Sequence, residues 1–221
     1  MAQDSGLITI IDPIAPASEA YRTLRMNLQF ASLDKKLNSL LITSPGPGEG
    51  KSTTLANLAV TMAQVDQRVI MVDCDLRRPH LHDVFGLSND MGLTTMMLED
   101  SALDNPPLQE TSIKGLRLLA SGALPPRPSD LLGSQRMEKV LQRLLDDADI
   151  LLLDAPPLLA VTDAVVLSAK VDGVLLVVSA GETRREHVQQ GIERLTKVNA
   201  NILGSVLNNA PLNSALHSYY T

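Results

Sequence analysis

Short runs rich in apolar residues recur along the chain, separated by polar or glycine-containing turns and by segments with helical periodicity. Runs of this length that do not alternate with polar residues are typical of strands buried on both faces. Strands that alternate with helices in this way predict an α/β fold with a doubly wound, mostly parallel sheet flanked by helices. The runs lie at residues 40–42, 68–72, 116–120, 150–153, 174–178 and 202–207.

The N-terminal region carries a less regular pattern. Residues 1–17 form a mixed lead-in. The apolar residues at 7–11 predict a short strand there, and Pro13 and Pro16 oppose an early helix. Ser18 is expected to cap a helix over residues 18–31, since its hydroxyl can accept a hydrogen bond from a backbone N–H of the first turn.

One flank of this predicted helix is charged. Glu19, Arg22 and Arg25 follow one another at i,i+3 steps, which places one carboxylate and two guanidinium groups side by side. On spacing alone, the favoured interpretation is a solvated surface with a weak internal ion pair.

The middle of the chain is expected to be rich in loops. Glycines and prolines interrupt residues 86–128, apart from the one apolar run named above. A helix is then predicted from Ser129 or Asp130 to about Asp146, and another over about 183–198.

The segment Ser44-Pro-Gly-Pro-Gly-Glu-Gly-Lys-Ser-Thr53 joins the first apolar run to a helical pattern. Its glycines allow the backbone N–H groups to approach an anion closely, Lys51 supplies a positive charge for the β- and γ-phosphates, and the Ser52 hydroxyl suits Mg²⁺. The segment departs from the G-x-x-x-x-G-K-[ST] pattern only at Pro45, and it predicts a phosphate loop that binds a nucleoside triphosphate. The residues predicted to contact the nucleotide are Gly46, Gly48, Glu49, Gly50, Lys51, Ser52 and Thr53.

Acidic residues follow two other predicted strands. Asp73 and Asp75 come directly after the run at 68–72, and Asp154 follows the run at 150–153. Because open α/β sheets bind ligands at the carboxyl ends of their strands, these carboxylates are predicted to face the metal of the nucleotide or to act as a general base. Asp154 fits the Walker B pattern and would reach Mg²⁺ directly or through water. The alternative interpretation is an ordinary polar turn after each strand.

Composition narrows the class of protein. A chain of 221 residues is most simply one domain, here residues 1–221, with a nucleotide-binding core at 39–208 and a polar tail at 209–221. A net charge of −6 argues against non-specific nucleic-acid binding. The single cysteine excludes an internal disulfide and fits a reducing cytoplasm. Neither a membrane span nor a signal peptide is visible, so we expect a soluble protein or the soluble part of a longer one.

Three motifs in this order resemble the bacterial protein-tyrosine kinases (BY-kinases), which assist exopolysaccharide and capsule production. The motifs are Gly48-Glu-Gly-Lys51-Ser52, Val72-Asp73-Cys-Asp75-Leu-Arg77 and Leu153-Asp154-Ala-Pro156. The helix segment Glu19-Ala-Tyr-Arg22-Thr-Leu-Arg25 also resembles the E-x-x-R-x-x-R oligomerisation motif of that family, which favours a subunit contact over a solvated flank. The resemblance extends from about Glu19 to the tail and implies a P-loop NTPase fold.

The resemblance implies an ATP-dependent protein-tyrosine kinase that uses Mg²⁺. Lys51 and the loop amides would hold the ATP phosphates, and Ser52 would ligate Mg²⁺. Asp73 would be a metal ligand and the base for the tyrosine hydroxyl, while Asp75 and Asp154 would hold the metal through water. Asn208, which follows the last predicted strand, resembles the residue that contacts the edge of the adenine base in related ATPases.

The resemblance also implies how the kinase is used. Tyr219 and Tyr220 in the tail would be autophosphorylated in trans within a homo-oligomeric ring, and the added negative charge would loosen that ring. The family further implies a membrane-bound activator, separate or fused upstream, and an opposing protein-tyrosine phosphatase. The protein would then lie in the cytoplasm at the inner face of the plasma membrane, where it would regulate polysaccharide synthesis and export.

The main alternative is a nucleotide-switch ATPase similar to MinD and ParA. That group carries an additional lysine early in its phosphate loop, where this chain has Gly46, and no basic amphipathic helix follows at the C-terminus. A metal-delivery ATPase with an Fe–S cluster on paired cysteines is excluded by the single cysteine. A module that binds ATP without turnover is disfavoured by the intact set of lysine and aspartates.

Overall fold

The computed structural model describes residues 6–31 and 36–211. Seven strands in this part of the chain form one sheet, and their ranges are β1 (Ser39–Thr43), β2 (Val69–Asp73), β3 (Gln109–Glu110), β4 (Leu116–Leu119), β5 (Ile150–Asp154), β6 (Gly173–Ser179) and β7 (Ile202–Asn208). The strand order is β3-β4-β2-β5-β1-β6-β7. All neighbours are parallel except β3 and β4, which are antiparallel. The predicted doubly wound, mostly parallel sheet is confirmed.

Helices cover both faces of the sheet. Their ranges are α1 (Ile8–Ile11), α2 (Pro16–Ala31), α3 (Lys51–Ala63), α4 (Leu81–Phe85), α5 (Leu93–Leu98), α6 (Ser101–Asp104), α7 (Pro128–Gly133), α8 (Gln135–Leu145), α9 (Asp163–Ser168) and α10 (Arg185–Thr196). Leu40 and Ile42 of β1 pack into the core formed with α1 to α4, whereas Leu41 packs into the core formed with α5 to α10. Every residue of β1, β2 and β5 is buried, because these central strands have helices on both sides.

Strand register places the predicted acidic residues together. β2 pairs with β5 so that Asp73 lies opposite Asp154, and β1 pairs with β5 so that Ile42 also lies opposite Asp154. The chain leaves β1 one residue later and enters the phosphate loop. The loop and the two acidic motifs therefore emerge from three adjacent strands at one edge of the sheet.

The prediction of a strand at 7–11 is wrong, because this segment contains the helix α1. The backbone N–H and the hydroxyl of Thr9 both donate to Asn57 Oδ1 in α3, at 3.1 and 2.9 Å. Leu7 is only 2% exposed. Packing on α3 thus provides the hydrogen bonds and the burial that a sheet neighbour would otherwise supply.

The prediction that Ser18 caps the next helix is also wrong. α2 begins at Pro16, whose fixed φ and missing N–H suit a first helical turn. The Ser18 hydroxyl donates to the backbone oxygens of Ile8 and Asp12, at 3.1 and 2.7 Å, and so joins α1 to α2. The predicted end of the helix at residue 31 agrees with the structure.

The middle of the chain is more helical than predicted. The helix α4 lies just before the loop-rich stretch, α5 and α6 lie within it, and neither these helices nor α9 were predicted. The single helix predicted up to Asp146 is two helices, α7 and α8, because Ser134 between them is extended (φ −68°, ψ 160°). Helices of four to six residues span less than two turns, so their sequences show no clear period.

Candidate active site

The phosphate loop connects the end of β1 to the first residue of α3. Gly50 precedes α3 in a left-handed conformation (φ +84°, ψ 23°), and Gly48 also has a positive φ of +78°. A Cβ atom on Gly50 would lie 2.0 Å from Asn208 Nδ2 and would displace that side chain, and the positive φ itself favours glycine at this position. The N-terminus of the 13-residue helix α3 faces this loop, which is the arrangement that binds phosphate groups.

Four of the predicted site residues converge beside the loop. Lys51 Nζ lies 3.2 Å from Asp75 Oδ2, 3.3 Å from Asp154 Oδ1 and 3.2 Å from the Ser52 hydroxyl oxygen. The Ser52 hydroxyl donates to Asp154 Oδ2 at 2.5 Å. The Lys51 side chain is 14% exposed, and those of Asp75 and Asp154 are 6% and 1% exposed. A nearly buried ammonium group is thus shared between two nearly buried carboxylates.

Electrostatics keeps Lys51 charged. Burial alone lowers the pKa of this lysine, but the carboxylates of Asp154 and Asp75 more than offset that effect, and the pKa lies above its ordinary value. Burial raises the pKa of Asp154, against the opposing effects of Lys51 and of the Ser52 hydrogen bond. Lys51 therefore stays protonated, whereas burial makes the ionised form of Asp154 less favourable than it is in water.

Asp73 is the last residue of β2 and has no exposed surface. Its Oδ2 accepts hydrogen bonds from the backbone N–H groups of His80 and Leu81, both at 3.0 Å, and its Oδ1 accepts one from Asp75 N–H at 3.2 Å. Burial, followed by repulsion from Asp154, raises the pKa of Asp73 from 3.8 to about 7. This carboxyl can therefore gain or lose a proton near neutral pH.

The raised pKa of Asp73 predicts that stability falls as pH rises. Between about pH 4 and pH 7 the folded protein holds a proton that the unfolded chain has released, so raising the pH in this range lowers the free energy of unfolding. This group alone contributes a slope of up to about 1.4 kcal/mol per pH unit. Urea unfolding with EDTA and without nucleotide measures the slope, and Asp73→Asn removes its contribution. If the free energy of unfolding depended on pH in the same way in Asp73→Asn and in the unchanged protein, the raised pKa could not be assigned to Asp73.

The remaining predicted nucleotide contacts surround the loop. Glu49 is 6% exposed and its Oε1 accepts a hydrogen bond from the Thr183 hydroxyl at 2.8 Å, while burial raises its pKa. Asn208 Nδ2 donates to the backbone oxygen of Glu49 at 3.2 Å. The Glu49 side chain therefore anchors the loop to the segment after β6, and Asn208 lies against the loop from the end of β7. Thr53 is exposed in the first turn of α3, and Gly46 lies within the loop.

A second ionic cluster beside the site was not identified from the sequence. Arg77 Nε and Nη2 donate to Asp163 Oδ2 and Oδ1, at 2.9 and 3.1 Å, and the Ser129 hydroxyl donates to Asp163 Oδ1 at 2.6 Å. The Asp163 side chain has no exposed surface. Arg77 could have been singled out, since it closes the D-x-D-x-R motif, but Asp163 follows Asp154 by nine residues without any motif of its own.

The predicted oligomerisation residues lie away from the phosphate loop, on α2. Arg22 Nη1 pairs with Glu19 Oε2 at 2.9 Å and Arg22 Nη2 donates to Pro13 O at 2.7 Å, while Arg25 Nη1 donates to Thr61 O at 2.9 Å. All three side chains thus have partners within the chain. Tyr219 and Tyr220 lie outside the described residues.

The oxygen atoms near Lys51 suit a magnesium ion that arrives with phosphate groups. Within residues 6–31 and 36–211, no three His, Cys, Asp or Glu side chains enclose a metal site by themselves. Mg²⁺ in nucleotide sites needs only one or two carboxylates, because waters and phosphate oxygens complete its octahedron. Ser52, Asp75 and Asp154 provide such a hard, oxygen-only set, so the residues present fit this ion.

Comparison with known proteins identifies relatives across nearly the whole chain. Residues 36–216 match the ParA family, described as NUBPL iron-transfer P-loop NTPases. Tyrosine-protein kinase YwqD of Bacillus subtilis is 41% identical over 97% of this chain and 90% of its own length. Tyrosine-protein kinase etk of Escherichia coli K12 is 36% identical over 91% of this chain, which corresponds to only 28% of that longer protein.

Solved structures agree with the sequence comparison. The chimerical protein CapA2B2 has a TM-score of 0.89 and 36% identity, and the match covers 96% of this chain and 93% of that one. The kinase domain of Escherichia coli ETK has a TM-score of 0.90 and 33% identity over 97% and 84% of the two chains. Apo McdA of Cyanothece, with a TM-score of 0.65 and 18% identity, shares the fold.

Family membership follows from the extent of these matches. The ParA-type match establishes a P-loop NTPase, and hence a nucleotide-binding protein that works with a divalent metal. Relatives more than 30% identical over nearly the full chain define the group within that class. The chain belongs to the family of bacterial tyrosine-protein kinases, the BY-kinases.

Proposed function

We propose that this protein transfers a phosphate group from ATP, with Mg²⁺ as the metal, to tyrosine side chains. The observation that carries the proposal is the convergence of Lys51, Ser52, Asp75 and Asp154 on one point beside the phosphate loop. Phosphoryl transfer needs positioning and charge neutralisation more than covalent chemistry, and this arrangement provides both. The relatives named above are tyrosine-protein kinases, which supports tyrosine as the acceptor.

The proposed roles follow from position. The loop amides at the N-terminus of α3 and the ammonium group of Lys51 bind phosphate oxygens. Ser52, Asp73, Asp75 and Asp154 are the residues that would hold Mg²⁺, which supplies charge neutralisation at the phosphates when it is bound. Asn208, beside the loop at the end of β7, is the proposed contact for the adenine.

Asp73 is the proposed general base. A tyrosine hydroxyl has an ordinary pKa of about 10, so its attack on phosphorus is helped by a carboxylate that accepts the proton. A pKa of about 7 lies close to the working pH, where a general base is most effective. Three backbone N–H groups fix the orientation of this carboxyl. Because Asp73 is fully buried, the role requires the acceptor hydroxyl to reach a carboxyl that has no exposed surface in the protein without substrate.

The wider assembly is proposed from the family. Tyr219 and Tyr220 are the acceptors, presented in trans within a homo-oligomeric ring to which Glu19, Arg22 and Arg25 contribute. No helix among the described residues is long and apolar enough to cross a bilayer. A membrane-bound activator is proposed to hold the protein at the inner face of the membrane, a phosphatase to reverse the modification, and the cycle to regulate capsule or exopolysaccharide production. The division into a core at 39–208 and a tail at 209–221 belongs to the same proposal.

Mass spectrometry of the intact protein tests this function. After incubation with Mg·ATP, the protein purified from a host without tyrosine kinases is expected to gain the mass of one or two phosphates. Replacing Tyr219 and Tyr220 together by Phe removes the acceptors and is expected to abolish the gain. Tyr21→Phe is the matched control, because Tyr21 lies in α2 and is not a proposed acceptor.

Two results would contradict the proposal in different ways. Phosphate found on the double variant would show that the tail is not the acceptor. Hydrolysis of ATP with nucleotide-dependent dimerisation, but without any phosphotyrosine, would instead favour the MinD- or ParA-like switch, since residues 36–216 match the ParA family.

A further inference from the structure

We infer that Arg77 and Asp163 form a clamp that positions Asp75 for metal binding. The inference rests on the proposed role of Asp75 in holding Mg²⁺. Arg77 belongs to the segment that follows β2, and Asp163 begins α9 in the segment that follows β5. The clamp therefore connects the two segments that carry the acidic residues of the site.

The geometry of the clamp is that of a fork on a carboxylate. Both oxygens of Asp163 accept hydrogen bonds from Arg77, at 2.9 and 3.1 Å, and the Ser129 hydroxyl of α7 adds a third at 2.6 Å. Two parallel N–H···O bonds from a planar guanidinium fix its orientation as well as its distance. Arg77 is thereby tied to two helices of the layer that contains α5 to α10.

Arg77 in turn fixes Asp75 through the backbone. Asp75 Oδ1 accepts hydrogen bonds from the N–H groups of Arg77 and Arg78, at 3.3 and 3.0 Å, while its Oδ2 contacts Lys51 Nζ at 3.2 Å. Any movement of the backbone at Arg77 therefore changes the position of the Asp75 carboxylate. Arg77 and Asp163 would not touch the metal themselves. They act through Asp75, which would approach it, and are therefore positioning residues.

Burial of Asp163 is the reason to assign it more than a stabilising role. Its side chain has no exposed surface, whereas that of Arg77 is 40% exposed. A carboxylate that must be dehydrated gains little net stability from its ion pair compared with an apolar contact of the same size, but the two hydrogen bonds from a planar guanidinium impose one specific geometry. The pair holds together the segments that follow β2 and β5, whose last residues, Asp73 and Asp154, lie opposite each other.

Two substitutions test the clamp by different routes. Arg77→Lys keeps the charge but loses the planar fork, and Asp163→Asn keeps the shape but loses the charge. Each is expected to raise the Mg²⁺ concentration for half-maximal binding of a fluorescent ADP analogue by about 10-fold, which is typical of losing a residue that orients a metal ligand. Binding of the analogue without Mg²⁺ should stay unchanged. The double variant should be no worse than the more impaired single variant, because both changes break the same link.

The chain provides a matched control at the opposite end of the same two strands. Arg68, just before β2, pairs with Asp149, just before β5, with Nη2 2.7 Å from Oδ1. Arg68→Lys and Asp149→Asn make the same chemical changes to an arginine–aspartate pair that is remote from the phosphate loop. These variants should bind Mg²⁺ and nucleotide as the unchanged protein does.

The outcomes separate this inference from the proposed function. If the thermal midpoint falls but the Mg²⁺ dependence of both clamp variants equals that of the controls, the pair is only structural and the inference is overturned. If Asp163→Asn does not fold, Arg77→Lys decides, since its side chain is partly exposed. Absence of tail phosphorylation in the unchanged protein would overturn the kinase proposal alone, because the binding assay needs no phosphate transfer.

Discussion

Lys51→Met is expected to lower the rate of tail phosphorylation by at least about 10²–10³-fold, the usual effect of removing one group that stabilises charge in the transition state. Methionine has a similar length but no charge, so the phosphate oxygens lose their mobile cation. The rate of phosphate incorporation, followed by intact mass, measures the effect. Full tail phosphorylation in Lys51→Met prepared without any other kinase would refute the catalytic assignment.

The same variant should also be less stable in the absence of nucleotide and metal. Lys51 is the cation shared by Asp75 and Asp154, whose side chains are 6% and 1% exposed. Its replacement leaves these two buried carboxylates without the lysine ammonium as a partner. Removing one partner of a buried ion pair costs roughly 3 kcal/mol. Lys170→Met is the matched control, because Lys170 is 12% exposed and pairs with a carboxylate, Glu138, away from the site. The control should keep its phosphorylation rate.

Asp154→Asn is expected to reduce phosphate transfer about 10²-fold and to raise the Mg²⁺ requirement by at least about 10-fold. The amide has one oxygen in place of two, so its NH₂ group replaces one of the two oxygens that now accept hydrogen bonds from Lys51 and Ser52, at 3.3 and 2.5 Å. Both the charge and the acceptor capacity for a metal and its waters are lost. Initial rates over a Mg²⁺ series measure the two effects.

A second measurement on Asp154→Asn tests the electrostatics of the site. Repulsion from Asp154 is one cause of the raised pKa of Asp73, so the variant should have a lower Asp73 pKa. The decrease in the free energy of unfolding with rising pH should therefore end at a lower pH than in the unchanged protein. Asp149→Asn, at the other end of β5, should leave unchanged both the rate and the slope of stability between about pH 4 and pH 7, because the lowered pKa of Asp149 affects stability only at more acidic pH. Wild-type Mg²⁺ dependence in Asp154→Asn would remove this residue from the proposed metal set.

The central part of the site could be predicted because the signals are local. Buried parallel strands appear as uninterrupted apolar runs, and the residue that ends each run must lie at the carboxyl edge of the sheet. Asp73 and Asp154 needed no knowledge of the fold beyond that rule, and the register of β2 with β5 places them side by side. The glycines of the phosphate loop are a similar case, since positive φ at Gly48 and Gly50 is a backbone requirement.

Other features depended on contacts between distant residues. The segment that became α1 has the composition of a strand, yet the side chain of Asn57 and the surface of α3 give its residues partners as a helix. Asp163 shows no motif, and only folding brings its carboxylate to Arg77, 86 residues earlier in the chain. The sequence also did not indicate that Lys51 would bridge Asp75 and Asp154.

Apolar periodicity, turn residues and motif spacing were therefore sufficient for the six parallel strands, the phosphate loop and the edge at which the acidic residues gather, because each depends on neighbours in sequence, whereas the short antiparallel strand β3 was not predicted. The partners of those residues, the raised pKa of Asp73 and the link between Asp163 and Arg77 required the folded chain. Burial and hydrogen bonding between remote segments set those properties, and neither is encoded in any short stretch of sequence.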